Sequence, residues 1–459
     1  MASKSKTVAE LIEVDGDIVV NALDHVDPSF VSDKDNSSTG QLTLPAGTTA
    51  QRPGTSYTGA QRYNTDLGVM EYYNGSQWLK IAAEQVALDS VSGTIYAGYA
   101  STLTLTGQGF LTDDITVNFT QASDGIDEDV VVTASSDTSA TVTVPSAVYN
   151  NVTSGNAVTI VVTNADSTNS GGVNKTASGI PSGGTEVTSG NYKYYTFTTS
   201  GYDTLTIPSG FSTTLEYLVV AGGGGGSRNS NPGGGGGAGG LLQSSQSVNG
   251  ATTSSLSIRV GAGGAGQGSG TGTQGTNSHI TGTGWTTVES VGGGGGAGSD
   301  VVAGSGGSGG GASYQGNGGG SGTAGQGNDG GNGSTSGGVY SGGGGGGKGA
   351  AGDTSSGGSV ADGGIGGLYS DWATATSTGD GGYYAGGGGA GTYANSRAAN
   401  GGQGGGADGI NSTTFTGTGN HGAANTGGGG GGIGGGGSGG IGGNGGSGIV
   451  IVRFDTTAL

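Results

Sequence analysis

Apolar and polar positions along this chain follow two regimes that meet near residue 190. Between residues 86 and 178, apolar side chains alternate with Thr and Ser at 101–106, 115–119, 130–133, 140–144 and 158–163, with turns every 10–15 residues. Period-two alternation predicts half-buried strands, so this stretch reads as one all-β domain. Beyond it, alternating segments recur at 192–197, 204–207, 215–220 and 256–260, and a strongly apolar segment, Ile449-Val450-Ile451-Val452-Arg453-Phe454, lies near the end. These predict a small sheet. Between that sheet's segments the pattern gives way to uninterrupted glycine at 222–226, 233–237, 292–296, 342–347, 386–389, 427–432 and 434–437.

Ordering glycine is expensive, about 1–2 kcal/mol of backbone entropy per residue with no side chain to bury in return. Backbone hydrogen bonds, about 1 kcal/mol net each, are the remaining source of stability. In the polyproline-II conformation three residues make a turn and no internal bonds form, so N–H and C=O groups point outward. Rods lacking Cβ atoms can approach closely enough to bond laterally. At about 3.1 Å per residue, five or six residues span about 16–19 Å. A rod buried on every side must be glycine throughout, whereas a peripheral one tolerates the substitutions seen at 304–311. The competing reading is a disordered low-complexity tail. Pure runs of similar length, and an apolar segment after them, favour order. The expected fold class is therefore all-β with a glycine-rich polyglycine-II helix bundle.

The rest of the chain divides by composition. Residues 1–40 are polar and acidic, and the few apolar positions, among them Leu11, Ile12, Ile18, Val19, Val20 and Leu23, suit either a disordered tail or an arm ordered by a partner. In residues 41–85, Asn74-Gly75 between aromatic and apolar segments signals a hairpin, both turn positions favouring positive φ. A few strands of about five residues make a poor independent core, which self-association would complete. Residues 179–190, rich in Gly, Ser and Thr, read as a linker, and residues 191–459 form the glycine-rich domain.

Several segments resemble known families. Leu44-Pro45-Ala46-Gly47-Thr48-Thr49-Ala50-Gln51-Arg52-Pro53, with Arg62-Tyr63-Asn64-Thr65 and Tyr73-Asn74-Gly75-Ser76-Gln77-Trp78, is similar to a module of tailed-bacteriophage fibre proteins. Ala9-Glu10-Leu11-Ile12 and Val20-Asn21-Ala22-Leu23-Asp24 are similar to the leader of such proteins. Gly107-Gln108-Gly109-Phe110 and Ile160-Val161-Val162-Thr163-Asn164 resemble the IPT/TIG class of immunoglobulin-like domains, common as spacers. Residues 217–222 and onward, with 446–453, resemble the glycine-rich domain of phage adhesins, which implies polyglycine-II packing. Together these imply a modular, elongated virion fibre protein. Its 1–40 arm would dock to other tail or adaptor proteins, and its tip would recognise a host-surface glycan or outer-membrane protein. A homotrimer in the virion tail, made in the host cytoplasm, is the corresponding assembly. A capsid decoration or baseplate protein is the alternative.

Composition narrows the chemistry. Of 116 glycines, 97 lie in residues 191–459, yet 7 prolines and no third-residue register exclude collagen. The net charge is −19, with 21 acids against 7 bases in residues 1–190, so the chain offers no basic face for nucleic acid. There is no cysteine, and no apolar run suggests a signal peptide or membrane insertion.

No enzyme, cofactor or metal is expected. Residues 342–347 followed by Lys348 mimic a phosphate loop, but Gly349 stands where Ser or Thr is required. His25, His279 and His421 are scattered, and the acidic group Asp124, Asp127, Glu128 and Asp129 lacks calcium-loop spacing. Asp353, Asp362, Asp371 and Asp380 could pair for glycan hydrolysis, though solvated turns explain them more simply. An ice-binding glycine bundle fits the N-terminal half poorly. Recognition falls to the loop aromatics Trp285, Tyr314, Tyr340, Tyr369, Trp372, Tyr383, Tyr384, Tyr393 and Phe415, which suit sugar stacking or protein contact but could equally cap the bundle.

Overall fold

The computed structural model describes residues 44–459 except 55, 82–85, 111–113, 165–166, 229–230, 299–300, 316–317, 336–339, 357–358, 394–396, 415 and 436–438. The arm, with Leu11, Ile12, Ile18, Val19, Val20 and Leu23, lies outside the described residues, as do His25 and Phe415. The chain forms two units, divided after Gln85.

The first unit is a four-stranded sheet of β1 (Ala46–Gly47), β2 (Gln61–Asn64), β3 (Val69–Tyr73) and β4 (Trp78–Ile81), in that order. The β3–β4 turn differs from the expected one. Gly75 alone of the pair has positive φ (102°), and the Asn74 side chain closes the turn by accepting from the N–H of Ser76 (3.0 Å) and Gln77 (2.9 Å). One face of the sheet is polar. The buried Glu71 carboxylate accepts from Arg52 and from Asn64 Nδ2 (2.6 Å), and Arg62 stands opposite it. The other face carries Tyr63, Met70, Tyr72, Leu79 and Ile81, with Tyr63 41%, Tyr72 36% and Ile81 39% exposed.

The second unit begins with the alternating segments read from the sequence. They form β6 (Thr102–Gln108), β7 (Asp114–Gln121), β8 (Ile126–Thr133), β9 (Ser139–Thr143) and β10 (Ala157–Thr163), joined by β5 (Ala87–Ser92) and β11 (Val173–Thr176), with the one-turn helix α1 (Ser146–Tyr149) between β9 and β10. Two sheets, β5-β6-β9 and β11-β10-β7-β8, enclose Leu103, Leu105, Phe110, Phe119, Val142 and Ile160. This is an immunoglobulin-like sandwich in which the fourth strand pairs with the third rather than the fifth. Asp127, Glu128 and Asp129 lie on β8 rather than in a loop, and Asn118 Nδ2 donates to both Asp127 (3.0 Å) and Asp129 (2.9 Å).

Part of the expected linker is a strand. β12 (Thr185–Ser189) edges a sheet of order β12-β13-β24-β15-β16, whose other members are β13 (Tyr192–Phe197), β15 (Ser212–Val220), β16 (Leu241–Asn249) and β24 (Ile449–Asp455). Its Ser and Thr content reads as linker, but β-branched residues also suit an edge strand. β14 (Gly201–Thr206), β17 (Ser255–Val260), β18 (Ser278–Gly282) and β19 (Trp285–Ser290) form a second sheet. The two enclose Tyr195, Phe211, Tyr217, Ile258, Val452 and Phe454. Tyr96 of the immunoglobulin-like sandwich enters the same core, 6.1 Å from the Phe211 ring, so the would-be spacer and the glycine-rich domain share apolar packing.

The glycine runs pack as extended rods, not α-helices. In 222–227, successive N–H groups donate to Thr276, Gly446, Gly237, Thr273, Gly443 and Gly234 at 2.8–3.1 Å, so residues three apart bond the same neighbour. Their carbonyls accept from Gly293, Gly264, Gly430, Gly296, Gln267 and Ile433, serving three further segments with the same period. This is the lateral, threefold pattern of polyglycine-II. A Cβ on any of Gly222–Gly226 would stand 2.0–2.2 Å from a neighbouring carbonyl oxygen. At the periphery, Ala262 and Ala265 are exposed three residues apart, at positions where the same geometry leaves room for a side chain.

Candidate functional site

The lattice has two ends. The first rod leaves β15 at Val220 and turns back beyond Ser227, so one end lies against the sheet and the other away from it. Lateral bonds from Gly342 to Gly391 (3.1 Å), Gly391 to Gly233 (2.9 Å) and Tyr314 to Pro232 (3.2 Å) bring the turns near 232, 314, 341 and 392 to one level at the far end.

Three of the candidate aromatics meet there. Tyr340 and Tyr393 pair across β20 (Tyr340–Ser341) and β23 (Thr392–Tyr393), with ring centres 6.1 Å apart at 63°. Tyr314 packs edge-on against Tyr340 at 5.8 Å and 80°. Tyr340 is 38% exposed and the other two are half-buried, which leaves a row of aromatic surface carrying hydroxyl groups. Such a row can stack on an apolar sugar face while bonding its hydroxyls. The Tyr393 loop is held by Arg397, whose Nη1 and Nη2 donate to the two Asp362 oxygens at 2.8 and 3.0 Å, and Asn400 N–H adds 2.7 Å to Oδ1. Burial opposes the Asp362 charge, but Arg397 and the hydrogen bonds from Asn400 together outweigh it and hold the carboxyl below its usual range.

The remaining candidates lie elsewhere. Trp285 is not in a loop: it begins β19, is buried, and packs 6.1 Å from Tyr217. Trp372 is buried on α2 (Ser370–Thr376) at the sheet end, and Tyr384, on β22 (Tyr383–Tyr384), is fully buried there with its hydroxyl 2.6 Å from Thr378 Oγ1. Both belong to a core with Leu218, Val220, Ile449 and Ile451, and Tyr369 packs against it half-buried. Tyr383 is half-buried opposite the exposed Leu368 of β21 (Gly367–Leu368). Tyr369, Trp372 and Tyr384 are thus explained by packing on the sheet's second face.

Asp362, Asp371 and Asp380 act as anchors. Asp371 meets Arg453 at 2.8 Å, and Asp380 Oδ2 accepts from Gly404 N–H (3.0 Å) and Gly405 N–H (3.1 Å). Amides of residues 342–347 bond to other rods, so this run forms no phosphate cradle, and Lys348 Nζ donates to the Gly325 carbonyl at 2.6 Å. Among the described residues there is no cluster of three metal-ligating side chains, and no helix long and apolar enough to cross a membrane.

The sequence model of a glycine-rich domain matches residues 196–455, more than half of the chain. The chain belongs to the glycine-rich domain family. The matched region begins at the end of β13 and finishes in β24, so it takes in the second sheet, the rods, and the first sheet apart from β12 and most of β13. No curated protein matches the chain. Among solved structures it is similar to the crystal structure of chicken CNTN1 FN1-FN3 domains, at 9% identity and a TM-score of 0.20, over 48% of this chain and 73% of that one. A superposition that loose carries no argument about function.

Nothing in the sequence singles out Tyr314, Tyr340 and Tyr393 from the other loop aromatics, because only the lattice register groups them. Nor does it mark Arg228, Arg397 or the anchoring role of Asp362, whose partners are set by the fold.

Proposed function

We propose that this protein is a fibre or adhesin subunit of a tailed-phage virion that recognises a host-surface glycan or outer-membrane protein through the far end of its glycine-rich domain. The reading rests above all on the gathering of Tyr314, Tyr340 and Tyr393 at that end, while Trp285, Tyr369, Trp372 and Tyr384 pack in or against cores. Loops on a rigid scaffold are a common recognition device, and rods fixed by lateral hydrogen bonds provide such a scaffold. The mechanism is binding without bond-making.

The 1–40 arm is assigned to docking on other tail or adaptor proteins, on the strength of the sequence resemblance. The apolar face of β2, β3 and β4 is assigned to contact between copies in a homotrimer. Incubating host cells with the purified full-length chain tests the central claim. Saturable binding that blocks virion adsorption supports it, and a folded chain that neither binds nor competes points to a decoration or baseplate role.

A further inference from the structure

Arg228 follows the first rod at the far end of the lattice, and its N–H donates to the Gln267 carbonyl at 3.1 Å. The residue is 2% exposed, and among the described residues Nε and Nη2 have no hydrogen-bond partner. Nη1 has there only a long contact, 3.4 Å, to the Gly440 carbonyl. Around it, Ser227 Oγ is committed to the Gly270 carbonyl (2.6 Å), and the Gly298 backbone closes against the Arg228 carbonyl.

The other described arginines are all accommodated. Arg52 pairs with Glu71, Arg397 with Asp362, and Arg453 with Glu216 and Asp371. Arg62 donates to the Thr48 carbonyl, and Arg259 lies over the Tyr202 ring. Arg228 combines deep burial with an unmatched charge. A guanidinium does not shed its proton at ordinary pH. Burial pushes the Arg228 pKa down, and no carboxylate among the described residues opposes that. A buried charge without a counter-charge is strongly unfavourable. Its Nε and Nη2 present the two parallel N–H donors that match two oxygens of one oxyanion.

We propose that Arg228 is an anion-binding residue at the far end of the glycine-rich domain, taking one carboxylate, sulfate or phosphate group through Nε and Nη2. This deepens the proposed function, since it makes the preferred ligand an acidic saccharide, and for that identity alone it rests on that reading. A free inorganic oxyanion carries the same chemistry, so the test separates the two.

The test is thermal unfolding of the full chain at constant ionic strength in chloride, sulfate, phosphate, glucuronate or glucose. Wild-type protein is expected to show a saturable rise in Tm with at least one oxyanion and none with chloride or glucose. A response to glucuronate assigns the acidic sugar, and one to sulfate or phosphate alone assigns the inorganic-type group. Arg228→Met is expected to lose the response and to melt higher than wild type without anion, because it removes the unmatched charge. If that variant does not fold, Arg228→Lys, which keeps the charge but not the fork, is expected to raise the half-saturating concentration about tenfold or more.

No oxyanion-specific rise in the wild type overturns the proposal, as does an equal rise in Arg228→Met. Asp300, outside the described residues, follows Gly298 by two positions. If Asp300→Asn gains an anion response that wild type lacks, Asp300 is the internal partner and the proposal falls. Host-cell adsorption measured in parallel keeps the two readings apart. Adsorption without an anion response removes only this site, whereas an anion response without adsorption removes only the host-binding function.

Discussion

The guanidinium carbon of Arg453 lies 4.1 Å from the centre of the Trp372 ring. It is also 4.2 Å from the Tyr192 ring, and its nitrogens reach Glu216 and Asp371, each at 2.8 Å. Arg453 belongs to β24 and Trp372 to α2, so this contact ties a loop of the glycine lattice to the sheet. Arg453→Met would leave the partly exposed Glu216 without its ion-pair partner, at an expected cost of about 1.5–3 kcal/mol. Trp372→Ala should cost more, about 3–5 kcal/mol, by opening a cavity beside Tyr194 and Tyr384. Urea midpoints measure both. A loss below about 0.5 kcal/mol for Arg453→Met, the size of an exposed pair, would contradict the account.

Gly224→Ala should be far worse than Gly171→Ala. A Cβ at 224 would stand 2.1 Å from the Gly294 carbonyl oxygen, held on both sides by other rods, whereas one at 171 meets nothing within 4 Å. The expected cost at 224 is about 3 kcal/mol or more, and at 171 the change is within about 1 kcal/mol of zero, of either sign. Calorimetric Tm values for the two variants decide this.

Tyr340→Ala should weaken host-cell binding about thirtyfold or more, as removal of an aromatic hot spot does, and leave the Tm nearly unchanged. Tyr384→Phe should do the reverse. It removes a buried hydroxyl bonded to Thr378, costing about 1 kcal/mol without touching adsorption. Equal binding by wild type and Tyr340→Ala would remove the tyrosine row from the recognition surface.

The first unit should lose stability in acid. Its hydrogen bond from Arg52 holds the Glu71 carboxyl below the usual range. A depressed folded pKa contributes stability that is fully present above the unfolded value, about 4.3, and is lost as pH falls through the folded value. Amide protection factors in residues 61–81, corrected for the intrinsic slowing of exchange in acid and followed from about pH 6 downward, should fall further in wild type than in Glu71→Gln, which has no such proton to gain.

Tyr72→Glu places a charge in the middle of the apolar face formed with Tyr63, Met70, Leu79 and Ile81. If copies meet there, light scattering should show this variant as a smaller species than wild type. An unchanged mass would move the self-contact elsewhere.

Much of the architecture was legible in the sequence because its causes are local. Alternation marks the strands of the immunoglobulin-like sandwich, and pure glycine marks rods enclosed by others, since a Cβ at any of 222–226 meets backbone. The apolar character of Ile449–Asp455 also has its reason: β24 is a central strand covered on one face by the second sheet and on the other by Trp372 and Tyr384. The β12 strand was hidden because Ser and Thr serve linkers and edge strands alike.

Sequence alone determined that this chain is all-β, that its glycine must bond laterally to be ordered, and that its aromatics lie between the runs. Tertiary structure decided which aromatics share a surface. Whether Tyr314 meets Tyr340 and Tyr393, or Trp372 meets Arg453, depends on which rods neighbour one another and at what register. Glycine carries no side chain to encode that choice locally. The register is fixed collectively, by the hydrogen bonds of all the rods and by the strands that bracket them.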